Sequence, residues 1–371
     1  METRNNSFLD TPKPRKAVEA LSPYSAPLEG RRNLLRLDFN ENTIGPSPLV
    51  IKALREINRE EISIYPEYSG LKEKLVNNLK KQGSGQYIKS SEIGIFNGVD
   101  AAINAIFHAY GEHNEMMLTT SPTFGYYTPC AQMRGMQITS IPYEGIDFQY
   151  PLKKICEIIT QKNPKILLIC NPNNPTGTRL NPKKVIEIAK LSTNTLVIVD
   201  ELYEAFTSDS ILPFVNFQKT PNLVVLRSLS KTAGLAGLRI GFAIGHSKVI
   251  NLVNRVTGPY DVNSFAVIAA LAALEDQSYI DSYVNKVLEA RDWLKTNLEK
   301  HKVKYHISGG NYFLIWPNSG PIETEKKLKE NGILVRSMDE KLNLKGSLRV
   351  SIGTLQQMKR FWSAFKLIDN I

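Results

Sequence analysis

The sequence contains little cysteine and no long apolar run, and both absences restrict the class of protein. Only 3 of its 371 residues are cysteines, and no two of them form a Cys-x-x-Cys pair. An odd cysteine count argues against a disulfide framework, so each cysteine is predicted to be a small buried residue of a cytoplasmic protein. No apolar run approaches the roughly 20 residues that span a bilayer, so we expect no membrane partner.

The N-terminus lacks the apolar core of a secretory signal. Residues 1–14 are polar, and we predict that they form a disordered lead-in. Clusters of basic charge are missing as well, because the formal net charge of +10 comes from basic residues spread along the chain. Such a distribution fits a solvated face that attracts phosphorylated or carboxylate substrates better than a nucleic-acid site. We therefore expect no nucleic-acid partner, and we assign no metal ligands.

Apolar segments alternate with amphipathic segments along most of the chain. The predicted strands of the first part are 93–96, 116–119, 138–141, 166–170, 196–199, 223–226 and 240–244. This alternation predicts an α/β fold, in which a three-layer αβα domain carries helices on both faces of a mostly parallel sheet. Segments 166–170 and 196–199 are apolar throughout, as is typical of strands that are buried on both faces.

A second, smaller domain is expected, because a chain of 371 residues is longer than the chains that usually fold around a single hydrophobic core. A helical stretch over 264–298 would lead into it, and strands within 309–316, 333–336 and 347–353 make it α+β. The expected boundaries are 1–14 for the lead-in, 15–50 for an N-terminal arm and part of the small domain, 51–275 for the large domain and 276–371 for the small C-terminal domain.

One lysine lies in a loop of serines and glycines between two predicted strands. Lys231 follows Ser228 and Ser230, and Arg239 comes eight residues later. Serine and arginine side chains are donors of the kind that hold a phosphate. A lysine beside such a pocket can act as a point charge or as a covalent nucleophile.

Several interpretations of this loop compete. A P-loop is excluded, because Ser230 and Leu226 replace the glycines that it requires before the Lys-Thr pair. A serine acyl-enzyme would use Ser228 and Lys231, but its partner motifs are absent and the four-residue pattern is common by chance. A Schiff-base lysine for pyridoxal phosphate and a glycine-rich turn with an exposed lysine are equally supported by this loop alone.

Other candidate groups also follow predicted strands. They are Gly98, Phe124, Asn174, Asp200 and Lys231. In a parallel sheet, ligands bind beyond the carboxyl ends of the strands, so these groups are expected to converge. Gly98 would present the free N–H groups of a helix N-terminus to an anion.

Two arginines lie within predicted apolar strands. A charge there is costly without a partner, and Arg336 and Arg349 therefore need one. A structural salt bridge is the favoured interpretation of either residue alone. Near an anion site, a ligand-binding pair is at least as well supported.

Three motifs together resemble the fold-type-I pyridoxal-phosphate aminotransferases of class I/II. The motifs are Asn171 to Gly177, Asp200-x-x-Tyr203, and Ser228-x-Ser230-Lys231 through Arg239. They occur in the order and approximate spacing of that family, and the resemblance extends over about 37–354. Within the family, the chain is most similar to the histidinol-phosphate aminotransferases. The features that carry this are Asn40-Glu41-Asn42 with Gly45-Pro46-Ser47-Pro48, Tyr65-Pro66, and Leu348-Arg349-x-Ser351-x-Gly353-Thr354.

The resemblance implies roles for particular residues of the site. Lys231 would hold pyridoxal 5'-phosphate covalently and shuttle a proton at the substrate carbon. Asp200 would pair with the ring nitrogen and keep it protonated. Asn174 and Tyr203 would donate to the phenolic oxygen, and Phe124 would stack on the ring.

The resemblance also implies an anion site and a shared subunit. The residues expected at the cofactor phosphate are Gly98, Val99, Asp100, Ser228, Ser230, Arg239 and, from a second subunit, Tyr65. The last residue implies a homodimer with shared active sites. The substrate is expected to contact Tyr24, Asn40, Arg336 and Arg349, with Arg349 at the family's carboxylate-binding position.

The expected reaction transfers the amino group of L-histidinol phosphate to 2-oxoglutarate, giving imidazole acetol phosphate and glutamate in histidine biosynthesis. An aminotransferase for aromatic or other amino acids, a phospho-amino-acid decarboxylase of the same fold, and a non-catalytic cofactor-binding regulator are the alternatives. Leu202 departs from the alanine that is usual in the family, and it is expected to narrow the space behind the ring.

Overall fold

The computed structural model describes residues 12–21 and 29–371. Most of the predicted lead-in and Tyr24 lie outside these ranges. The strands are, in chain order, β1 (Leu35–Arg36), β2 (Ile93–Phe96), β3 (Met116–Ser121), β4 (Gln137–Pro142), β5 (Ile166–Cys170), β6 (Leu196–Asp200), β7 (Leu223–Ser228), β8 (Gly241–Gly245), β9 (Tyr305–His306), β10 (Tyr312–Ile315), β11 (Ile333–Leu334), β12 (Arg336–Ser337) and β13 (Leu348–Ser351).

Helices pack against the larger sheets of the described chain. They are, in chain order, α1 (Lys16–Glu19), α2 (Pro48–Arg55), α3 (Arg59–Ser63), α4 (Ser69–Lys81), α5 (Val99–Tyr110), α6 (Tyr127–Met133), α7 (Leu152–Lys162), α8 (Pro182–Leu191), α9 (Ser247–Asn254), α10 (Ser264–Glu275), α11 (Gln277–Lys300), α12 (Pro321–Glu330) and α13 (Leu355–Asp369). No helix within the described ranges has both the length and the apolar character that crossing a membrane requires.

The larger sheet has seven strands in the order β2-β8-β7-β6-β5-β3-β4. All neighbours from β7 to β4 pair in parallel, and β8 runs antiparallel to β2 and β7. Every residue of β5 and β6 is buried, as their uniformly apolar sequences predict. The mostly parallel sheet is therefore confirmed.

The two faces of this sheet carry separate apolar cores, because successive side chains of a strand point to opposite sides. Leu167 and Ile169 pack into a core with residues of α4, α7, α8 and α10. Ile166 and Leu168 pack into a core with residues of α5, α6 and α9. The helix–sheet–helix arrangement confirms the predicted three layers.

A smaller sheet is built almost entirely from the C-terminal quarter of the chain. Its antiparallel strands lie in the order β12-β13-β10-β9, and α11, α12 and α13 bury their apolar sides on it. β1 pairs in parallel with β11, so the segment before residue 40 joins this part of the molecule. The smaller α+β part of the predicted fold is confirmed, while the predicted domain boundaries stay a prediction.

The structure corrects two of the predicted elements. The strand expected over 333–336 is two short strands, β11 and β12, which belong to different sheets. The helical stretch expected over 264–298 is two helices, α10 and α11. The Asp276 side chain accepts a hydrogen bond from the backbone N–H of Tyr279 and caps the second helix, which explains the break.

Candidate active site

A cavity of about 140 Å³ opens where β5, β6 and β7 end. It is lined by Val99, Asp100, Phe124, Cys170, Asn174, Asp200, Leu202, Tyr203, Ser228, Ser230, Lys231, Ala236 and Arg239. The sheet thus brings together most of the residues that we predicted to bind a cofactor. A larger cavity of about 470 Å³ adjoins it, and Leu202 and Ser228 line both. Leu202 therefore stands in the wall between the two cavities.

Lys231 presents a half-buried amine to the smaller cavity. Its Nζ donates a hydrogen bond of 2.9 Å to the backbone carbonyl oxygen of Phe39, and it lies 5.9 Å from the centre of the Tyr203 ring. Burial, and after it the positive charge of Arg349, lowers the pKa of Lys231 to about 8. An amine with this pKa is a usable nucleophile and base near neutral pH.

Asp200 ends β6 and is buried beside Cys170, its neighbour on β5. The hydroxyl of Tyr127 donates a bond of 2.6 Å to Oδ2, and the backbone N–H of Leu202 donates a bond of 3.2 Å to Oδ1. Burial raises the pKa of Asp200 to about 6, although both donors oppose that shift. No cation of the described residues pairs with this carboxyl, so a cationic ligand group would stabilise its charged form.

A polar network links the cavity to the smaller sheet. The Tyr203 hydroxyl accepts hydrogen bonds from the side-chain amides of Asn40, at 3.1 Å, and Asn174, at 3.5 Å. Arg349 on β13 donates a bond of 2.8 Å to Oδ1 of Asn174, and Ser351 on the same strand donates one of 3.0 Å to Oδ1 of Asn40. The predicted substrate residues Asn40 and Arg349 are thereby fixed against two predicted cofactor residues.

The opposite side of the cavity carries donor groups that are suited to an anion. α5 begins after Gly98, whose φ is 81°, and a Cβ at Gly98 would lie only 2.5 Å from Nη2 of Arg239. Arg239 donates a bond of 2.8 Å to Oδ2 of Asp100, and Ser228 Oγ donates one of 2.8 Å to Ser230 Oγ. Free N–H groups of a helix N-terminus, a guanidinium and two hydroxyls are suited to a phosphate.

Five of the predicted site residues are not among those that line this cavity: Gly98, Asn40 and Arg349, which adjoin it, and Tyr65 and Arg336. Tyr65 is 69% exposed and stacks on Tyr260, with ring centroids 3.8 Å apart. Arg336 on β12 lies directly opposite Arg349 in the register of β12 and β13. Tyr24 lies outside the described residues. The roles of these residues stay predictions.

The most direct contact of Asp200 was missed by the sequence reasoning. Tyr127 begins α6, a helix that was not predicted because Pro129 interrupts its short apolar pattern. Its ring meets that of Phe124 edge-on, with centroids 5.4 Å apart and an interplanar angle of 83°. Phe124 lies in the loop before α6, so helical spacing in the sequence gives no signal for this contact.

Comparison with known proteins gives a consistent result. The model of the family described as aminotransferase class I and II matches residues 32–365. A histidinol-phosphate aminotransferase of Clostridium novyi (strain NT) is 33% identical over 347 residues, which cover 92% of this chain and 93% of that protein.

Solved structures share the fold at lower identity. The histidinol-phosphate aminotransferase from Sinorhizobium meliloti in complex with pyridoxal-5'-phosphate has a TM-score of 0.86 at 22% identity, and the match covers 98% of this chain and 99% of that one. The L-threonine-O-3-phosphate decarboxylase from Porphyromonas gingivalis has a TM-score of 0.78 at 23% identity, over 91% and 100% of the two chains. These likenesses confirm the predicted fold type.

We expect Lys231 to react as an amine with a pKa near 8. An amine reagent such as trinitrobenzenesulfonate is used to modify Lys231, and the extent of modification is measured by mass spectrometry of its peptide. The rate of modification should rise with a midpoint at pH of about 8. For ordinary lysines the midpoint lies near pH 10.4. Arg349→Gln removes a cation that lowers this pKa, so it should move the midpoint to higher pH. The exposed Arg360→Gln is the matched control. A midpoint that Arg349→Gln does not move would contradict this electrostatic account.

Proposed function

We propose that this chain, which belongs to the aminotransferase class I and II family, transfers the amino group of L-histidinol phosphate to 2-oxoglutarate with pyridoxal 5'-phosphate as its cofactor. The products are imidazole acetol phosphate and glutamate, in histidine biosynthesis. The observation that carries the proposal is a single cavity lined by the amine of Lys231, the carboxyl of Asp200 and the phosphate donors around Gly98. The name of the 33% identical relative supports the choice of substrate.

The lining residues fit pyridoxal phosphate. The buried carboxyl of Asp200 lacks a cationic partner among the described residues, and a protonated ring nitrogen would supply one. Gly98 has no side chain to block the backbone beside Arg239, so a phosphate could accept hydrogen bonds from the N–H groups there. Phe124 offers an aromatic face in the same cavity, which suits a planar ring.

Different residues of this chain would then carry out different steps of the reaction. When bound, the cofactor supplies an electron sink for the electron pair that the substrate carbon keeps as it loses its proton. Lys231, which is largely neutral above pH of about 8, would act as the nucleophile that holds the cofactor, and its Nζ would then accept and return that proton. Asn174 and Tyr203 would fix the oxygen of the ring by hydrogen bonds.

Two arginines make the substrate end suited to anions. Arg336 and Arg349 are opposite residues of β12 and β13, so their side chains leave the same face of the sheet. Arg349 also contacts Asn174, which lines the cavity. A guanidinium binds phosphate or carboxylate in two parallel hydrogen bonds, so this pair would serve the phosphate ester in one half-reaction and glutamate in the other.

The site would be completed by a second copy of the chain in a homodimer. The exposure of Tyr65 and its absence from the cavity of its own chain support this proposal. Its hydroxyl would reach the cofactor phosphate of the partner subunit.

The three cysteines are unpaired, which fits a protein of the reducing cytoplasm.

The substrate is tested by one half-reaction. Cofactor-loaded protein is mixed with L-histidinol phosphate, and separately with phenylalanine and tyrosine, while the absorption of the bound cofactor is followed. We expect histidinol phosphate to convert the cofactor at least about 100-fold more efficiently than phenylalanine or tyrosine does, because its phosphate contacts two guanidinium groups. Arg336→Gln should lower this preference by about tenfold or more, and the exposed Arg255→Gln should leave it unchanged.

Each alternative function has its own outcome, in that experiment or with a phosphorylated amino acid as one further substrate. Conversion by the aromatic amino acids alone would assign Arg349 to an α-carboxylate and reject histidinol phosphate. Release of carbon dioxide from a phosphorylated amino acid would identify a decarboxylase, an activity that the same fold carries in Porphyromonas gingivalis. A bound cofactor that no amine converts would identify a non-catalytic regulator.

The shared site is tested by mixing two impaired variants. Lys231→Ala should be inactive, and Tyr65→Ala should bind the cofactor about tenfold more weakly, because a hydrogen bond to its phosphate is lost. Mixed dimers contain one site with both native residues, so random pairing should restore about a quarter of the wild-type activity at limiting cofactor. The double variant Lys231→Ala/Tyr65→Ala, mixed with Tyr65→Ala, should restore nothing. Equal activity in both mixtures would contradict the shared site.

A further inference from the structure

The carboxyl of Asp200 depends on one phenol for its side-chain hydrogen bonding. Within the described residues, Tyr127 is the side-chain donor to this group, at 2.6 Å from Oδ2. The remaining donor is the backbone N–H of Leu202, at 3.2 Å from Oδ1. The two oxygens are therefore held from two directions, one by α6 and one by the chain that continues β6.

Tyr127 is placed so that its hydroxyl remains a donor. Its side chain is fully buried, and burial raises its pKa well above the ordinary value for a phenol. Burial also raises the pKa of the neighbouring Cys170 thiol to about 12. Of these three adjoining groups, only Asp200 titrates near neutral pH, so the charge of the cluster is the charge of its carboxyl.

The ring and the hydroxyl of Tyr127 have separable contacts. The ring packs edge-on against Phe124, a wall of the cavity, while the hydroxyl meets Asp200. A phenylalanine would fill the same volume and keep the ring contact. The hydroxyl therefore contributes the bond to the carboxyl, and a hydrogen bond to a charged group is stronger than one between neutral groups.

We propose that Tyr127 is a positioning residue, whose hydroxyl holds the Asp200 carboxyl charged and oriented for pairing with the protonated ring nitrogen of the cofactor. This inference rests on the proposed use of pyridoxal phosphate, and it is independent of which amine is the substrate. Tyr127 would act through Asp200 and need not touch the cofactor. Its loss should weaken the binding of the cofactor before any chemistry takes place.

The test compares how tightly the apoprotein binds pyridoxal phosphate. Tyr127→Phe should raise the dissociation constant by about tenfold or more, because the bond to a charged group is lost. Tyr143→Phe is the matched control. Tyr143 is also buried, and its hydroxyl accepts a side-chain hydrogen bond of 2.8 Å from Thr120, but it does not line the cavity. Its variant should bind the cofactor as the wild type does.

A double-mutant cycle separates positioning from packing. Asp200→Asn removes the charge that Tyr127 stabilises, so adding Tyr127→Phe to it should change the dissociation constant by less than about twofold. Carbon-13 NMR of the apoprotein, labelled at aspartate and assigned with Asp200→Asn, gives a second readout. The pKa of Asp200 should be higher in Tyr127→Phe than in the wild type, because a donor to the charged form is missing.

Each outcome decides the inference. The positioning role would be overturned if Tyr127→Phe changed neither the dissociation constant for the cofactor nor the pKa of Asp200. The same loss of affinity with and without the Asp200 carboxylate would also overturn it, because it would show a purely structural effect. Wild-type protein that binds no pyridoxal phosphate would instead refute the proposed function, and the inference with it.

Discussion

The carboxyl ends of β5, β6 and β7 meet at one edge of a sheet that is buried on both faces, and polar groups placed there must find partners inside the protein. Burial of a carboxyl or an amine away from an opposite charge shifts its pKa in the direction that favours the neutral form. Asp200 and Lys231 both show such shifts, to about 6 and about 8. The same burial that is costly for the free protein prepares one acid and one amine for a charged ligand.

One short segment before α2 joins the two sheets at this edge. Residues 38–40 bond to three candidate site residues: the carbonyl oxygens of Asp38 and Phe39 accept from Arg349 and Lys231, and the Asn40 side chain donates to Tyr203. Arg31 holds Asp38 through two hydrogen bonds, at 2.7 and 2.9 Å. The smaller sheet, which anchors this segment through β1, thereby helps to set the geometry of the site on the larger one.

Much of this arrangement could be predicted from the sequence, for a physical reason. The strands β5, β6 and β7 are apolar segments, and the residues at the carboxyl end of such a strand lie at the edge of the sheet. This rule placed Asn174, Asp200 and Lys231 together. Tyr127 could not be placed, because its partner is 73 residues away along the chain and its own helix lacks a clear period. The proposed site roles of Tyr65 and Arg336 would depend on a second subunit and a substrate, which one chain does not contain.

The central claim is that the cavity at the end of β7 holds pyridoxal phosphate through Lys231. The most direct measurement incubates the protein with the cofactor, traps the covalent bond with borohydride, and locates the label by peptide mass spectrometry. The account predicts one labelled site, Lys231, at stoichiometric cofactor, among the many lysines of the sequence. A label on another lysine, or no selective label, would contradict it.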